Sequence, residues 1–388
     1  MSGRLAVVKR PTVLLTLGRL PKSYELVRCF SQAGYRVLVA EPHPWHLCRV
    51  SSRVSRSYQV VSPVVDAPAY LADMLRIVRD EGVDLVVPVS EETMHAAALK
   101  PLLPAHARLY CPDQSRLIAL HDKHRFITMA LDAGLAVPRT FEFGSDAARE
   151  LAAQHAVVVK PRFSCSGRGV ELFERGATLP ARGEPSVVQE RLFGQVLSTF
   201  SVVSGGTPLV TSVYCGRVMS GTVSVCFERI EHPKIDAWVA SFAKFWNYDG
   251  FLSFDFVVDA AGVPQAIECN PRVTSGVHFI RPEALGKAIL TGVASPDSEE
   301  SPFRENRWAQ QFYPTLTETE RSLLTGGPFA KNFRAMLRAR DVVWEPRDPL
   351  PFLTMTMTSW RILSHAIRKK TSLGEAATWD IEWSPEAS

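Results

Sequence analysis

Between Thr12 and Leu99, short apolar runs alternate with segments of helical spacing. Thr12–Leu17 is apolar, Ser23–Ala33 has a helical period, and Arg36–Ala40 and Tyr58–Val61 are again strand-like. Pro68–Glu81 repeats the helical spacing, Asp84–Val89 is a continuous apolar run, and Glu91–Leu99 reads as a short helix. Strands without polar alternation need cover on both faces, which crossover helices supply to a parallel sheet. The pattern predicts an open, Rossmann-like α/β layer over residues 1–115. The first strand is followed by Gly18-Arg19-Leu20-Pro21-Lys22-Ser23, not Gly-x-Gly-x-x-Gly, which counts against a dinucleotide-binding dehydrogenase.

The pattern then changes. Residues 116–185 read as a small second unit, and from Ser186 the strands look antiparallel: Val187–Arg191, Ser198–Val203, Leu209–Val213 and Thr222–Phe227. Pro233–Trp246 is predicted helical, with Ile235, Trp238, Val239, Phe242, Phe245 and Trp246 as a core-facing stripe. These place a larger α+β unit at 186–295. A Pro/Ser/Glu-rich linker over 295–306 leads into a C-terminal extension, 296–388, of basic helices and short strands. Within it Ser359–Lys370 is amphipathic and basic; packing onto the body is the expected role, docking on a membrane surface the alternative.

Candidate chemistry concentrates in GFLSFDFVVDAAGVPQAIECNPRVTSGVHFI, Gly250–Ile280. An alternating strand turns at Ala260-Ala261-Gly262 and returns to Glu268-Cys269-Asn270-Pro271-Arg272. Glu268 and Asn270 share a face, and a loop over Ala260–Val263 puts Asp255 opposite Glu268. Two carboxylates and an amide oxygen beside Arg272 suit Mg²⁺ carrying a polyphosphate, with Mn²⁺ as a substitute; a solvated hairpin face is the bland alternative. A second run, Val157-Val158-Val159-Lys160-Pro161-Arg162-Phe163-Ser164-Cys165-Ser166-Gly167-Arg168-Gly169-Val170, delivers Lys160 from a strand into a Ser/Gly-rich loop. Gly167 and Gly169 let amides approach phosphate oxygens, Ser164 and Ser166 add hydroxyl donors, and Lys160 and Arg168 add charge. An ordinary basic hairpin turn would look similar.

Together these runs resemble the ATP-grasp superfamily, which combines a Lys-Pro strand and glycine-rich lid with a later Glu-x-Asn-Pro-Arg. His121-Asp122-Lys123-His124-Arg125-Phe126 resembles the family's helix start, whose lysine reaches the nucleotide phosphates. Val187-Val188-Gln189-Glu190-Arg191-Leu192-Phe193-Gly194 resembles its hinge strand. The resemblance implies an ATP-grasp fold behind a Rossmann-like first domain. ATP phosphates would lie on Lys123, Lys160 and the Ser164–Gly169 lid, with adenine read by Glu190 and the backbone of Arg191 and Leu192. Asp255, Glu268 and Asn270 would hold the metal, and Arg272, Lys160 and Arg168 would serve catalysis. The sequence departs from the family after the hinge, where Gly194-Gln195-Val196-Leu197-Ser198-Thr199 lacks the acid that binds ribose hydroxyls; Gln195 or Ser198 stands there instead. Glu231–Val239, Ile267–Arg272 and Asp348–Leu353 resemble the mycosporine-glycine synthase branch, while the first-domain and lid loops are nearer general ligases of the carbamoyl-phosphate-synthase type.

The implied activity is ATP-dependent C–N ligation: a carboxylate or cyclohexenone enol is phosphorylated, then condensed with an amino acid. A non-catalytic ATP sensor and a phosphotransferase are the alternatives. Ser90 and Glu91, at the end of an apolar strand, and Ser275 are candidate substrate contacts, and Gly18–Lys22 a candidate anion loop. Acids at a helix start are also favoured by the dipole alone. The net charge of +4 is too small to argue for a nucleic-acid partner. Seven scattered cysteines without a Cys-x-x-Cys favour reduced thiols in a cytoplasmic protein. No apolar run is long enough to span a membrane. A homodimer is a possible assembly.

Overall fold

The protein is described here by a computed structural model covering residues 10–165, 167–293 and 300–385. Five strands form the first sheet: β1 (Thr12–Leu15), β2 (Arg36–Glu41), β3 (Val54–Gln59), β4 (Leu85–Val87) and β5 (Arg108–Leu109). All pair in parallel, in the order β3-β2-β1-β4-β5. Val13 and Leu15 face one buried cluster and Leu14 another, because alternate residues of a strand covered on both sides enter different layers. Helix α1 (Pro21–Gln32) opens with proline in its first turn, and α2 (Ala67–Glu81) is capped by Asp66, whose carboxylate accepts from the Ala69 N–H at 2.9 Å.

The second sheet contains β6 (Thr140–Glu142), β7 (Val157–Pro161), β8 (Glu171–Phe173) and β9 (Ser186–Glu190), in the order β6-β9-β7-β8. This corrects one expectation. The strand predicted to open the larger antiparallel unit pairs instead with β7, Lys160 opposite Val187. Hydropathy shows that β9 is buried, but not which edge offers it hydrogen-bond partners.

The third sheet holds β10 (Gln195–Ser204), β11 (Thr207–Ser220), β12 (Val223–Ile230), β13 (Gly250–Val258), β14 (Pro264–Asn270), β15 (Trp308–Gln310) and β16 (Arg340–Asp341). Its order is β14-β13-β10-β11-β12-β15-β16, so two strands of the C-terminal extension complete it. Helix Pro233–Phe245 packs Trp238 and Phe242 against Phe254, at centroid distances of 4.9 and 5.1 Å. Phe245 departs from the expected stripe and is 56% exposed.

The extension also returns to the first domain. Arg28 of α1 donates to the carbonyls of Val342 and Val343, and Asp348 accepts from Tyr24, Ser51 and Ser52. Helix Trp360–Lys369 packs inward through Ile362 and Ala366, leaving Trp360 and Ile367 exposed. Arg19, expected in an anion loop, is buried between Glu41 and Asp380, at 2.5 and 2.6 Å. The linker expected over 295–306 lies partly outside the described residues; Phe303 within it bridges to Ile280. No helix among the described residues is long and apolar enough to cross a membrane.

Candidate active site

A cleft of about 740 Å³ opens where the three sheets meet. Its floor is the β13–β14 hairpin, where Asp255 pairs with Glu268 and Ser253 with Asn270, as the hairpin pattern predicts. The route differs slightly. The turn is one residue longer than expected, since Val258 pairs with Pro264, and a register shift after Asp255 restores the pairing.

The two carboxylates are crowded. Asp255 accepts from Ser198 Oγ at 2.5 Å and from Asn270 Nδ2 at 3.0 Å. Burial pushes the Asp255 carboxyl up, and the neighbouring Glu268 charge adds to the rise. Burial acts on Glu268 in the same direction, but Lys123 and Lys160 outweigh it and hold Glu268 below the usual carboxylate range. Lys123 Nζ lies 3.9 Å from Glu268 Oε2 and donates to the carbonyl and hydroxyl of Ser164, at 2.9 and 3.1 Å. Lys160 Nζ is 3.5 Å from the Ile267 carbonyl, and burial lowers the amine to about 8. Asn270 turns its NH₂, not its oxygen, toward the carboxylates, because Oδ1 accepts from Arg272 at 3.0 Å. An amide flip, which breaks the Arg272 bond, is needed for Asn270 to ligate a metal as the sequence suggests.

Arg272 is held at 2.6 Å by Glu91; burial pushes the Glu91 carboxyl up, but Arg272, His121 and Lys22 together hold it below its ordinary value. Glu91 therefore serves Arg272 before any substrate amine. Ser90 does not cap a helix as expected; its buried hydroxyl has no partner among the described residues, and Glu92 takes the backbone N–H groups of Val89 and Ser90 instead. Helix starts are delayed to Thr93 accordingly. Ser275 lines the cleft.

Gly167 and Gly169 have φ of 74° and 69°, which only glycine adopts without strain. At Gly169 a Cβ would also sit 2.7 Å from Pro161 Cγ. Ser166 lies outside the described residues. Glu190 and Leu192 line the cleft, although the Glu190 carboxylate is engaged by Arg139 at 2.8 and 3.1 Å. At Arg191, whose backbone is the expected adenine contact, the N–H donates to the Ala156 carbonyl and the guanidinium pairs with Glu174.

Residues that sequence reasoning missed come from the C-terminal segment. Gly374, Ala377 and Thr378 line the cleft, Trp383 packs edge-on against Phe163 at 5.2 Å, and Glu382 accepts from the Cys165 N–H at 3.1 Å. Glu382 also pairs with Arg168 at 3.0 Å, so Arg168 is engaged in holding the loop down. No local pattern marks these residues; only a contact more than two hundred positions away gives them a role. Glu382→Ala is expected to free the glycine loop. Limited proteolysis near Arg168 should become several-fold faster, with a modest fall in melting temperature, because the half-buried carboxylate also holds the Cys165 N–H, a bond worth about 1–3 kcal/mol.

The fold built around this cleft is the ATP-grasp fold, and residues 120–276 match a family model described as an ATP-grasp domain. Among solved structures, the chain is similar to the biotin carboxylase domain of Hydrogenobacter thermophilus 2-oxoglutarate carboxylase, in complex with MgADP, ADP and bicarbonate. That match has a TM-score of 0.60 and 13% identity over 76% of this chain and 73% of that one. It is also similar to N5-carboxyaminoimidazole synthetase from Staphylococcus aureus, with a TM-score of 0.57 and 15% identity over 74% and 79%. Biotin carboxylase from Campylobacter jejuni gives 0.60 and 16% over 77% and 74%. No curated protein sequence matches significantly.

Proposed function

We propose that the protein is an ADP-forming ATP-grasp ligase that activates an anionic acceptor as its phosphate and joins it to an amine. The observation carrying this reading is the β13–β14 pair, two crowded carboxylates with two lysine ammonium groups beside Glu268. Opposite charges set side by side yet left partly unpaired suit a ligand that itself carries both signs, a metal polyphosphate. The donors fit a hard divalent cation, Mg²⁺ or Mn²⁺: Asp255 and Glu268 supply oxygens, and Asn270 a third after its amide turns. Among the described residues no group of three or more His, Cys, Asp or Glu side chains forms a metal site, so a cation held by this pair would draw its remaining ligands from phosphate oxygens and water. When bound, the cation supplies charge neutralisation across the phosphates.

The chain's own residues do the rest. Lys160 and Lys123 bind phosphate oxygens, exchanging the carbonyls of Ile267 and Ser164 for stronger anionic partners. Gly167–Gly169 lays backbone over the phosphates and excludes water. Val158, Leu192, Val196 and Val257 give the cleft an apolar slot for a base, with Glu190 at its edge. Arg272, oriented by Glu91 and Asn270, stabilises charge on the transferred phosphoryl group. Attack of the acceptor oxygen on the γ-phosphorus releases ADP; the amine then displaces inorganic phosphate from the activated acceptor, forming the C–N bond. A cyclohexenone-enol acceptor with an amino acid amine, the mycosporine-like case, is the specific reaction proposed. Metabolic C–N ligation of this kind places the protein in the cytoplasm, acting on small molecules, with a homodimer as the assembly to look for.

The test is an ADP-release screen of amino acids against carboxylic and enolic acceptors, with mass spectrometry of the products. ADP formation dependent on both partners, with a condensed product, is expected. Phosphorylated acceptor accumulating without need of an amine would replace ligation by phosphotransfer; MgATP binding with no turnover would leave a sensor.

A further inference from the structure

The cleft has a second cationic group on its first-domain side, beside Arg272. Lys22 projects from the first turn of α1, and its Nζ donates to the Val273 carbonyl at 2.8 Å. Among the described residues it has no carboxylate within ion-pair distance, although it lines the cleft beside Arg272. The nearby acids are already committed. Glu91 is bound by Arg272 at 2.6 Å. Glu92 faces back into the domain, accepting from Thr16 Oγ1 at 2.7 Å and from the amides of Val89 and Ser90. The one close partner of Lys22 among the described residues is thus a backbone carbonyl, with Glu91 and Glu92 near enough to act on its charge but committed elsewhere.

Burial, with the Arg272 charge adding to it, lowers the Lys22 amine to about 7, so an ordinary lysine charge is not maintained there without help. A second polar group waits beside it: Ser90 is 1% exposed, lines the cleft, and its hydroxyl has no partner among the described residues. The wall adjoining Leu20 includes Gly374, Ala377 and Thr378, small and uncharged residues that offer no counter-ion.

We propose that Lys22, with Arg272 and the Ser90 hydroxyl, binds the single negative group of the acceptor, a carboxylate or enolate. This deepens the ligase reading and rests on it. An oxygen anion here exchanges a carbonyl partner for a charge-assisted bond to Lys22 and supplies the close counter-ion the ammonium lacks. The α1 amino terminus adds a partial positive charge in the same direction. Selectivity follows: monoanionic acceptors are favoured over neutral amides or alcohols of the same shape, because those leave the ammonium unpaired. The Lys22 corner also separates substrate roles, since the nucleotide lysines, Lys123 and Lys160, stand on the Glu268 side.

The experiment uses the full chain saturated with MgADP. Acetate, benzoate and cyclohexanecarboxylate are titrated against the corresponding amides, and labelling of Lys22 by an amine-acylating reagent is followed by peptide mass spectrometry. Carboxylates are expected to slow Lys22 labelling several-fold beyond MgADP alone, while amides do not. By calorimetry, Lys22→Met should weaken carboxylate binding about ten-fold, with Lys22→Arg recovering part of it and MgATP affinity unchanged in both. The proposal is overturned if carboxylates and amides act alike, if no carboxylate binds the wild-type protein, or if Lys22→Met instead weakens MgATP. Absence of MgATP binding to the wild-type protein would sink the ligase reading itself. Normal MgATP binding with no carboxylate effect would sink only the Lys22 assignment.

Discussion

Glu268→Gln is expected to abolish divalent-cation-dependent ADP formation, by about 100-fold or more, while the protein stays folded. Loss of partners merely outside a metal's ligand sphere costs about 10–100-fold, and a direct ligand should cost more. Glu268 also keeps Lys123 and Lys160 in register, so its neutral analogue leaves two ammonium groups facing each other. The companion change, Asp255→Asn, separates function from structure. It removes the carboxylate that burial and Glu268 make unfavourable, so the ligand-free protein should melt at an unchanged or higher temperature. The extra stabilisation by Mg²⁺ with ATP should disappear, because binding linkage requires the intact ligand set. Thermal melts with and without MgATP, beside ADP-release rates, give both readouts. Full turnover in Glu268→Gln would remove the metal assignment.

The largest stability effect is expected at Arg19, far from the chemistry. Arg19 is 3% exposed and bridges Glu41 of the first sheet to Asp380 of the C-terminal segment. Arg19→Met strands two buried carboxylates and should cost about 3–5 kcal/mol, read by urea unfolding at neutral pH. The pH dependence weakens with it. In the wild type Arg19 and His46 hold Glu41, and His43 and Arg19 hold Asp380, below their ordinary values against the effect of burial. The unfolded chain therefore takes up protons first on acidification, and this part of the stability is present at neutral pH and lost through pH ~4 and below. In Arg19→Met, burial is opposed only by His43 and His46, so the depression of both carboxyls shrinks. The loss of stability between pH ~7 and ~4 is then smaller than in the wild type. An unfolding free energy that falls equally on acidification in both proteins would contradict the assignment.

Much of the site is written locally. Alternation along Gly250–Val258 and Pro264–Asn270, with a glycine-containing turn between, is enough to oppose Asp255 and Glu268, because strand periodicity leaves few registers. The Lys160 strand and the two positive-φ glycines are likewise short-range features. The hinge strand was harder to place. Its burial shows in Ser186–Glu190, but its partner β7 is set by which edge is free after the lid loop closes, and no residue within the strand reports that. The helix expected from Glu91 begins later because Glu92 is drawn back to the Val89 and Ser90 amides, a competition invisible in spacing.

By itself the sequence determined the parallel first layer, the antiparallel hairpin and the residue types able to meet a metal polyphosphate, because each follows from periods of two or 3.6 residues and from local turns. Only the tertiary structure decided how their charges are shared. It gave Glu91 to Arg272, turned the Asn270 amide, took Arg168 with Glu382 and Arg19 with Asp380, and left Lys22 without an acid at ion-pair distance. Those outcomes depend on distances between segments up to 361 positions apart, and charge pairing in a buried cleft is settled by which partners arrive, not by their order along the chain.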